Sequence, residues 1–321
     1  MNLPKHVHIE EDGPRDGFQA VKAFIPTETK IKFIDMLSET GLPEVQATSF
    51  ISPKAIPQMQ DAEEVMAKIK RQPGVTYVAI TPNLRGAERA IAAKVGKLGV
   101  FCSASETHNL SNVRMTIAES LKGFEPIFRM AKDAGLRIRG GQPTAFGCPF
   151  EGDVPESRVL QTARAYVDMG ADDIGLGDTT GMATPLMVQS LYTLLRDKLP
   201  KHVNIEMHFH NTRGAGLANV LASMDVGATS FSSCVGGLGG CPFAPGATGN
   251  ICTEDLVHML HHMGIDTGVD LDKLIACAKF IEKELGFKLD GQVMRSGKNE
   301  ELHNISYELR ELVKSKKKQW A

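Results

Sequence analysis

The tripeptide His208-Phe209-His210 carries the strongest chemical signal in this 321-residue chain. Residues i and i+2 of a strand face the same side. Two imidazoles at a strand end can therefore grip one metal ion, with Phe209 turned into the helix layer; two hydrogen-bonded histidines in a polar loop are the alternative. Two imidazoles leave a divalent ion under-coordinated. Asp16 ends the first predicted strand, which neighbours the eighth in a closed barrel, and Asn250 closes a glycine-rich stretch after that eighth strand. Asp16, His208, His210 and Asn250 form a mixed nitrogen and oxygen set without thiolate, which suits Mg²⁺ or Mn²⁺, with Co²⁺ or Zn²⁺ as alternatives. Arg15, next to Asp16, is either a fixed cation for charge developing on a substrate oxygen or half of a surface salt bridge.

The glycine-rich stretch runs from Gly236 to Asn250 as GGLGGCPFAPGATGN. Glycine adds nothing to a core and costs backbone entropy on ordering. Such a segment suits a mobile active-site loop, and Cys241 in its middle is its catalytic candidate. Asp178, in GLGDTTG, is either a partner for a metal-bound histidine or a cap on the next helix. Ser103 and Ser105 either meet substrate hydroxyls or end the fourth strand. Cys148 and the other cysteines read as small apolar residues.

These residues need a frame that brings strand ends together. Predicted strands at 6–12, 44–50, 75–81, 98–103, 137–146, 173–177, 204–210 and 229–235 alternate with predicted helices, among them one long helix over 111–134. Eight strand–helix units without a composition break predict an α/β protein with a (β/α)₈ TIM barrel over residues 1–265, with a doubly wound sheet as the alternative. Residues 266–321 are expected to form a C-terminal helical extension packed on the barrel, built on helical patterns at 271–285 and 300–317. A barrel of this kind places its chemistry at the C-terminal ends of the strands.

The totals narrow the partners. Net charge is −2 and 42% of residues are hydrophobic. That balance argues against a nucleic-acid or anionic-membrane grip, and the basic end KSKKKQWA reads as a solvated helix terminus. No apolar run reaches the length of a membrane span, and the N-terminus lacks the apolar run of a signal peptide. Six cysteines without a CxxC pair predict a reduced, cytoplasmic protein.

GPRDGFQ (13–19), TSFISPKAIPQM (48–59), FGCPFEG (146–152), GDTTG (177–181), HFHNTRG (208–214) and the glycine loop together resemble the 3-hydroxy-3-methylglutaryl-CoA lyase family of metal-dependent barrel lyases. The resemblance runs in order over about residues 6–290. It implies a barrel, a divalent metal, a CoA-thioester substrate, a homodimer and a carbon–carbon cleavage that yields acetyl-CoA. Carried onto this sequence, the metal ligands fall on Asp16, His208, His210 and Asn250, the catalytic arginine on Arg15 and the catalytic cysteine on Cys241. Asp16 and His208 count among the catalytic residues as well, and Gln19, Gln46, Ser105, Asp178 and Arg213 are the expected substrate contacts. The implied reaction is a retro-Claisen cleavage. The 3-hydroxyl loses its proton, the C2–C3 bond breaks, Arg15 faces the oxyanion charge, and Cys241 supplies or relays the proton that quenches the enolate.

The chain departs from the family at its substrate-facing wall. Gln46 stands where the family has a glutamate on strand two, and an amide is no base. Glu44 lies two residues deeper, and Asp12 is the nearer candidate to restore a negative charge. Asn211 and Arg213 alter the histidine motif, and Gly140-Gly141-Gln142-Pro143-Thr144 alters strand five. A related substrate, such as citramalyl-CoA or a longer 3-hydroxy-3-alkylglutaryl-CoA, is therefore an alternative. A condensing synthase and a catalytically impaired acyl-CoA-binding barrel are the rival readings.

Overall fold

The computed structural model describes residues 1–239, 249–302 and 304–317. Its strands are β1 (His8–Glu11), β2 (Glu44–Ser49), β3 (Thr76–Ile80), β4 (Lys97–Phe101), β5 (Arg137–Gln142), β6 (Asp173–Asp178), β7 (Asn204–Phe209) and β8 (Ser230–Ser233). They form one closed parallel barrel in chain order, as the alternation of strands and helices predicts. Closure comes from β1 lying along β8, with His8 opposite Ser230 and Glu11 opposite Ser233. The helices are α1 (Thr27–Ser38), α2 (Ala62–Lys68), α3 (Leu84–Ala92), α4 (Glu106–Val113), α5 (Ile117–Asp133), α6 (Glu156–Met169), α7 (Pro185–Lys198), α8 (Gly216–Asp225), α9 (Thr253–His262), α10 (Leu271–Leu285), α11 (Val293–Ser296) and α12 (Tyr307–Lys317).

Strand periodicity explains the layering. Ile9, Val45, Leu98, Ile174, Met207 and Phe231 alternate with polar or small neighbours and are buried in one continuous hydrophobic core. That core fills the space between barrel and helices. Many of the alternate positions, which face the barrel axis, are charged. Lys97 Nζ lies 2.6 Å from Glu44, 3.4 Å from Asp173 and 3.5 Å from Glu10. Arg139 pairs with Glu206 and sits 2.9 Å from Glu10, and Arg137 reaches Glu44 and Asp173 at 3.0 and 2.8 Å. Burial works against the Glu10 carboxylate, but Arg139 and Lys97 outweigh it and hold Glu10 well below the usual range. Buried charges persist only when paired in this way.

Three expectations change in detail. The helix expected over 111–134 is two helices: Arg114 takes a left-handed conformation at φ 60°, and Thr116 with Glu119 forms a capping box that restarts the chain as α5. Strand five stops at Gln142 rather than continuing to residue 146, because the chain turns at Thr144, φ 58°. The C-terminal segment divides. α10 packs against α1 and α9 and buries Leu271, Leu274, Ile275, Cys277, Ala278 and Ile281, so it belongs to the helix ring. α12 buries no residue, which corrects the expectation that this pattern packs on the barrel; its apolar side chains have no facing surface among the described residues.

The barrel interior yields a stability prediction. Lys97→Met keeps the volume but leaves Glu44, Glu10 and Asp173 short of a cation. Removing one partner of a buried ion network costs roughly 3–5 kcal/mol. A denaturant titration at neutral pH should show a loss of that order, and a loss under 1 kcal/mol would contradict the role given to Lys97.

Candidate metal centre and active site

Arg15 and Asp16 sit in a single helical turn, Gly13–Gly17, directly after β1. The Asp12 carbonyl accepts from the backbone N–H of Arg15 at 3.0 Å and of Asp16 at 2.7 Å, which fixes the turn. Its outer support is Glu11, a buried carboxylate on the helix side of β1. Glu11 Oε1 accepts from Gly13 N–H at 2.8 Å and from Val235 N–H at 2.9 Å, and Oε2 accepts from the Thr253 hydroxyl. One side chain thus joins the Arg15–Asp16 turn to the segments after β8 and at the start of α9. Gly13 has no alternative here, because a Cβ would stand 2.5 Å from Glu11 Oε1.

Asp16, His208 and His210 each bring a ligand atom into one cluster, all within 4.8 Å of one another. Burial works against the Asp16 carboxylate, yet Arg15, His208, His210 and the Asn250 amide outweigh it and hold Asp16 down at about 2. Arg15 Nη1 donates to Asp16 Oδ1 at 2.7 Å. Burial pulls His208 down to about 4 in spite of the Asp16 carboxylate, so its ring is neutral at neutral pH. His208 Nδ1 lies 2.8 Å from Ser232 Oγ and 3.4 Å from Asp12 Oδ2, and its Nε2 lies 3.2 Å from Nε2 of His210. Ser232 and Asp12 stand at Nδ1, so a ring protonated there would leave the Nε2 lone pair for the cluster.

Asn250 completes the set. A backbone bridge ties it to His210, and Nδ2 donates to Asp16 Oδ2 at 2.8 Å and to the Leu238 carbonyl at 3.0 Å. Among the described residues its Oδ1 is buried without a hydrogen-bond partner. Buried polar atoms are seldom left so. A carboxylate at low pKa, two imidazoles meeting nitrogen to nitrogen and an orphaned amide oxygen together fit a divalent cation with nitrogen and oxygen ligands. Gly239, at φ 103°, approaches so closely that a Cβ would lie 2.5 Å from Asn250 Nδ2 and 3.1 Å from Asp16 Oδ2. Cys241 lies outside the described residues.

The expected substrate contacts are not all alike. Gln46 faces the site: its Oε1 accepts from Arg15 Nε, and its Nε2 donates to Glu10 at 2.7 Å and Asp12 at 2.8 Å. Gln19 is half-buried in the turn beyond Gly17. Asp178 uses Oδ1 to accept from the N–H groups of Met182 and Ala183 at 2.8 and 3.0 Å, which ties down the loop after β6, while the N-cap of α7 is Thr184; among the described residues its Oδ2 is buried without a partner. Arg213 donates to the carbonyls of Thr180 and Gly181, so its cation braces the loop after β6. Ser105 is fully buried, accepts from His108 N–H as the N-cap of α4 and donates to Cys148 Sγ at 2.9 Å. That geometry spends it on ending the strand and starting a helix. Burial first and the Glu10 carboxylate next push Asp12 well above the usual carboxylate range, which works against it as a source of negative charge. Sequence reasoning missed Glu11 and Ser232, which hold the turn and the first imidazole. Asp12, Arg15, His208 and Ser232 border a cavity of about 120 Å³ that continues into the barrel.

A closed parallel barrel with this constellation at its C-terminal mouth defines a barrel enzyme of the metal-dependent type. The chain belongs to the HMGL-like family, whose model matches residues 6–281. It is 44% identical over 294 residues to the mitochondrial hydroxymethylglutaryl-CoA lyase of Rattus norvegicus, covering 92% of this chain and 90% of that protein. It is 45% identical over 286 residues to the hydroxymethylglutaryl-CoA lyase YngG of Bacillus subtilis, covering 89% and 95%. Among solved structures, an HMG-CoA lyase from Acinetobacter baumannii in complex with coenzyme A and 3-methylmalate superposes with a TM-score of 0.91 at 44% identity, over 94% of this chain and 98% of that one.

Two measurements follow from this geometry. Asn250→Ala removes one ligand oxygen and should weaken Mn²⁺ binding at least tenfold by calorimetry while leaving the circular dichroism spectrum unchanged; unaltered affinity would remove Asn250 from the site. Burial pushes Asp178 up to about 7 against the pull of the Ala183 and Met182 amides. Its folded pKa exceeds its unfolded one, so the stability it contributes is full below about pH 4 and is lost as pH rises through about 7. In the metal-free protein, Asp178→Asn should flatten the fall in unfolding free energy between those limits by up to roughly 1.4 kcal/mol per pH unit.

Proposed function

We propose that this chain is a divalent-metal-dependent 3-hydroxy-3-methylglutaryl-CoA lyase that splits its substrate into acetyl-CoA and acetoacetate. The observation that carries the reading is the convergence of Asp16, His208, His210 and the unpartnered Asn250 Oδ1 beside Arg15, in a chain 42–45% identical to several proteins of that name. A bound divalent metal supplies a Lewis acid for the substrate's oxygens; Mg²⁺ or Mn²⁺ suits this donor set best. Arg15 has its Nε held by Gln46 and one Nη by Asp16, which leaves a guanidinium fixed in direction at the border of the cavity. Fixed cationic donors stabilise charge that develops on oxygen during bond breaking, without reorganising at that moment. Cys241, which the family resemblance marks as catalytic, is the group that returns a proton to the enolate carbon.

No described helix is long and apolar enough to cross a membrane. A homodimer and a cytoplasmic location complete the proposal, in keeping with a relative from Danio rerio described as cytoplasmic. A 3-methylmalate-bound relative also keeps short branched acids such as the citramalyl group among the substrates to be assayed.

The test is direct. Purified protein with Mg²⁺ or Mn²⁺ should convert 3-hydroxy-3-methylglutaryl-CoA to acetyl-CoA and acetoacetate in equal amounts, and a chelator should stop it. Arg15→Met should lower kcat by roughly 10²–10³-fold with Mn²⁺ affinity changed far less. Cys241→Ser should lower cleavage strongly without unfolding the protein. Absence of product with Mg²⁺, Mn²⁺, Co²⁺ and Zn²⁺ would overturn the reading.

A further inference from the structure

The cavity beside the metal cluster is walled on one side by positions that carry no side chain. Barrels of this class fill their interiors with layers of inward side chains. Here the inward positions of β4 to β6 include Gly99, Gly141, Gly175 and Gly177, the last three of which border the cavity. Opposite Arg15 and His208 the wall is Ile80, Phe101 and Pro143, all apolar, and Phe101 and Gly141 are only half-buried. The Arg139–Glu206 ion pair closes the floor.

The space exists because side chains are missing and not because the backbone forbids them. None of these four glycines has the positive φ that demands glycine. A Cβ on Gly141 would meet Phe101 Cβ at 3.3 Å, and one on Gly175 would meet Arg139 Cδ at 3.4 Å. Small side chains fit there with minor adjustment, and each would fill the cavity.

Resting on the lyase reading, we propose that this glycine-walled recess is a specificity pocket for the substituent on the reacting carbon, and that it accepts an unbranched alkyl group of about three carbons in place of methyl. Gly141 and Gly175 are the specificity-determining positions, and Phe101 is the apolar face against which the chain lies.

The experiment compares 3-hydroxy-3-propylglutaryl-CoA with the 3-methyl compound on the Mn²⁺-loaded protein. The unaltered protein should cleave the propyl compound with kcat/KM at least equal to that for methyl. Gly141→Val should shift the propyl-to-methyl ratio of kcat/KM toward methyl by tenfold or more, the range seen when a pocket changes by a methylene or two. Gly175→Ala, a milder change, should shift it the same way by a few-fold. A folding defect lowers both rates together and leaves the ratio intact. Cleavage of the methyl compound alone by the unaltered protein overturns the pocket assignment and spares the lyase reading, as do ratios within twofold of the parent in both variants. Cleavage of neither compound by the unaltered protein overturns the lyase reading itself, and the pocket with it.

Discussion

Asp16 and Asn250 are 234 residues apart in the chain, yet the Asn250 amide donates to the Asp16 carboxylate at 2.8 Å. That contact depends on the parallel pairing of β1 with β8, the step that turns an open sheet into a barrel. Bringing such distant segments together carries a loop-closure cost that no single hydrogen bond repays. The sheet ladder and the helix ring supply it, and the site inherits a fixed spacing. Glu11 extends the closure outward. By accepting from Gly13, Val235 and Thr253 at once, it makes the Arg15–Asp16 turn and the approach to the glycine loop parts of one rigid corner. Glu254 repeats the device one layer out by accepting from Gly236 N–H.

The interior of the barrel is organised by charge, not by hydrocarbon. Lys97, Arg137 and Arg139 face Glu10, Glu44 and Asp173. The two remaining inward acids, Asp12 and Glu206, are both pushed upward, chiefly by burial, Glu206 to about 8. Lys97, Arg137 and Arg139 offset the acids beside them, and the ionised Asp16 stands at the mouth with Arg15 next to it. Such a floor does not compete with the cluster above it for a cation, because its own carboxylates already have partners.

The barrel was legible in the sequence because apolar residues on the helix side of each strand keep a period of two, and because the punctuation between elements is strong. The cluster of Asp16, His208 and His210, which could hold a metal ion, was legible because its residues stand at strand ends within short distinctive runs. What escaped the sequence has physical reasons. Glu11 is a charged side chain on the helix-facing side of β1, where the alternation calls for an apolar one, and its partners lie 224 and 242 residues away. The break before α5 rests on Arg114 adopting a left-handed conformation that sequence pattern does not announce for a non-glycine residue. α12 has the amphipathic pattern of a packed helix and buries nothing, since pattern specifies a face and says nothing of what lies opposite.

Gln46 shows how a neighbour changes the meaning of a substitution. Taken alone, an amide in place of a carboxylate reads as a lost charge. In the folded chain its Nε2 donates to both Glu10 and Asp12, while its Oε1 accepts from Arg15. A glutamate at this position could not donate to Glu10 and Asp12 as the amide does, and would bring a further acid against the Glu10 carboxylate in a buried setting. The amide is the side chain of that length that can donate downward to the acids of the barrel and accept upward from the catalytic arginine. Gln46, Glu10 and Asp12 are therefore one compensated set. Arg15 keeps a fixed direction through it.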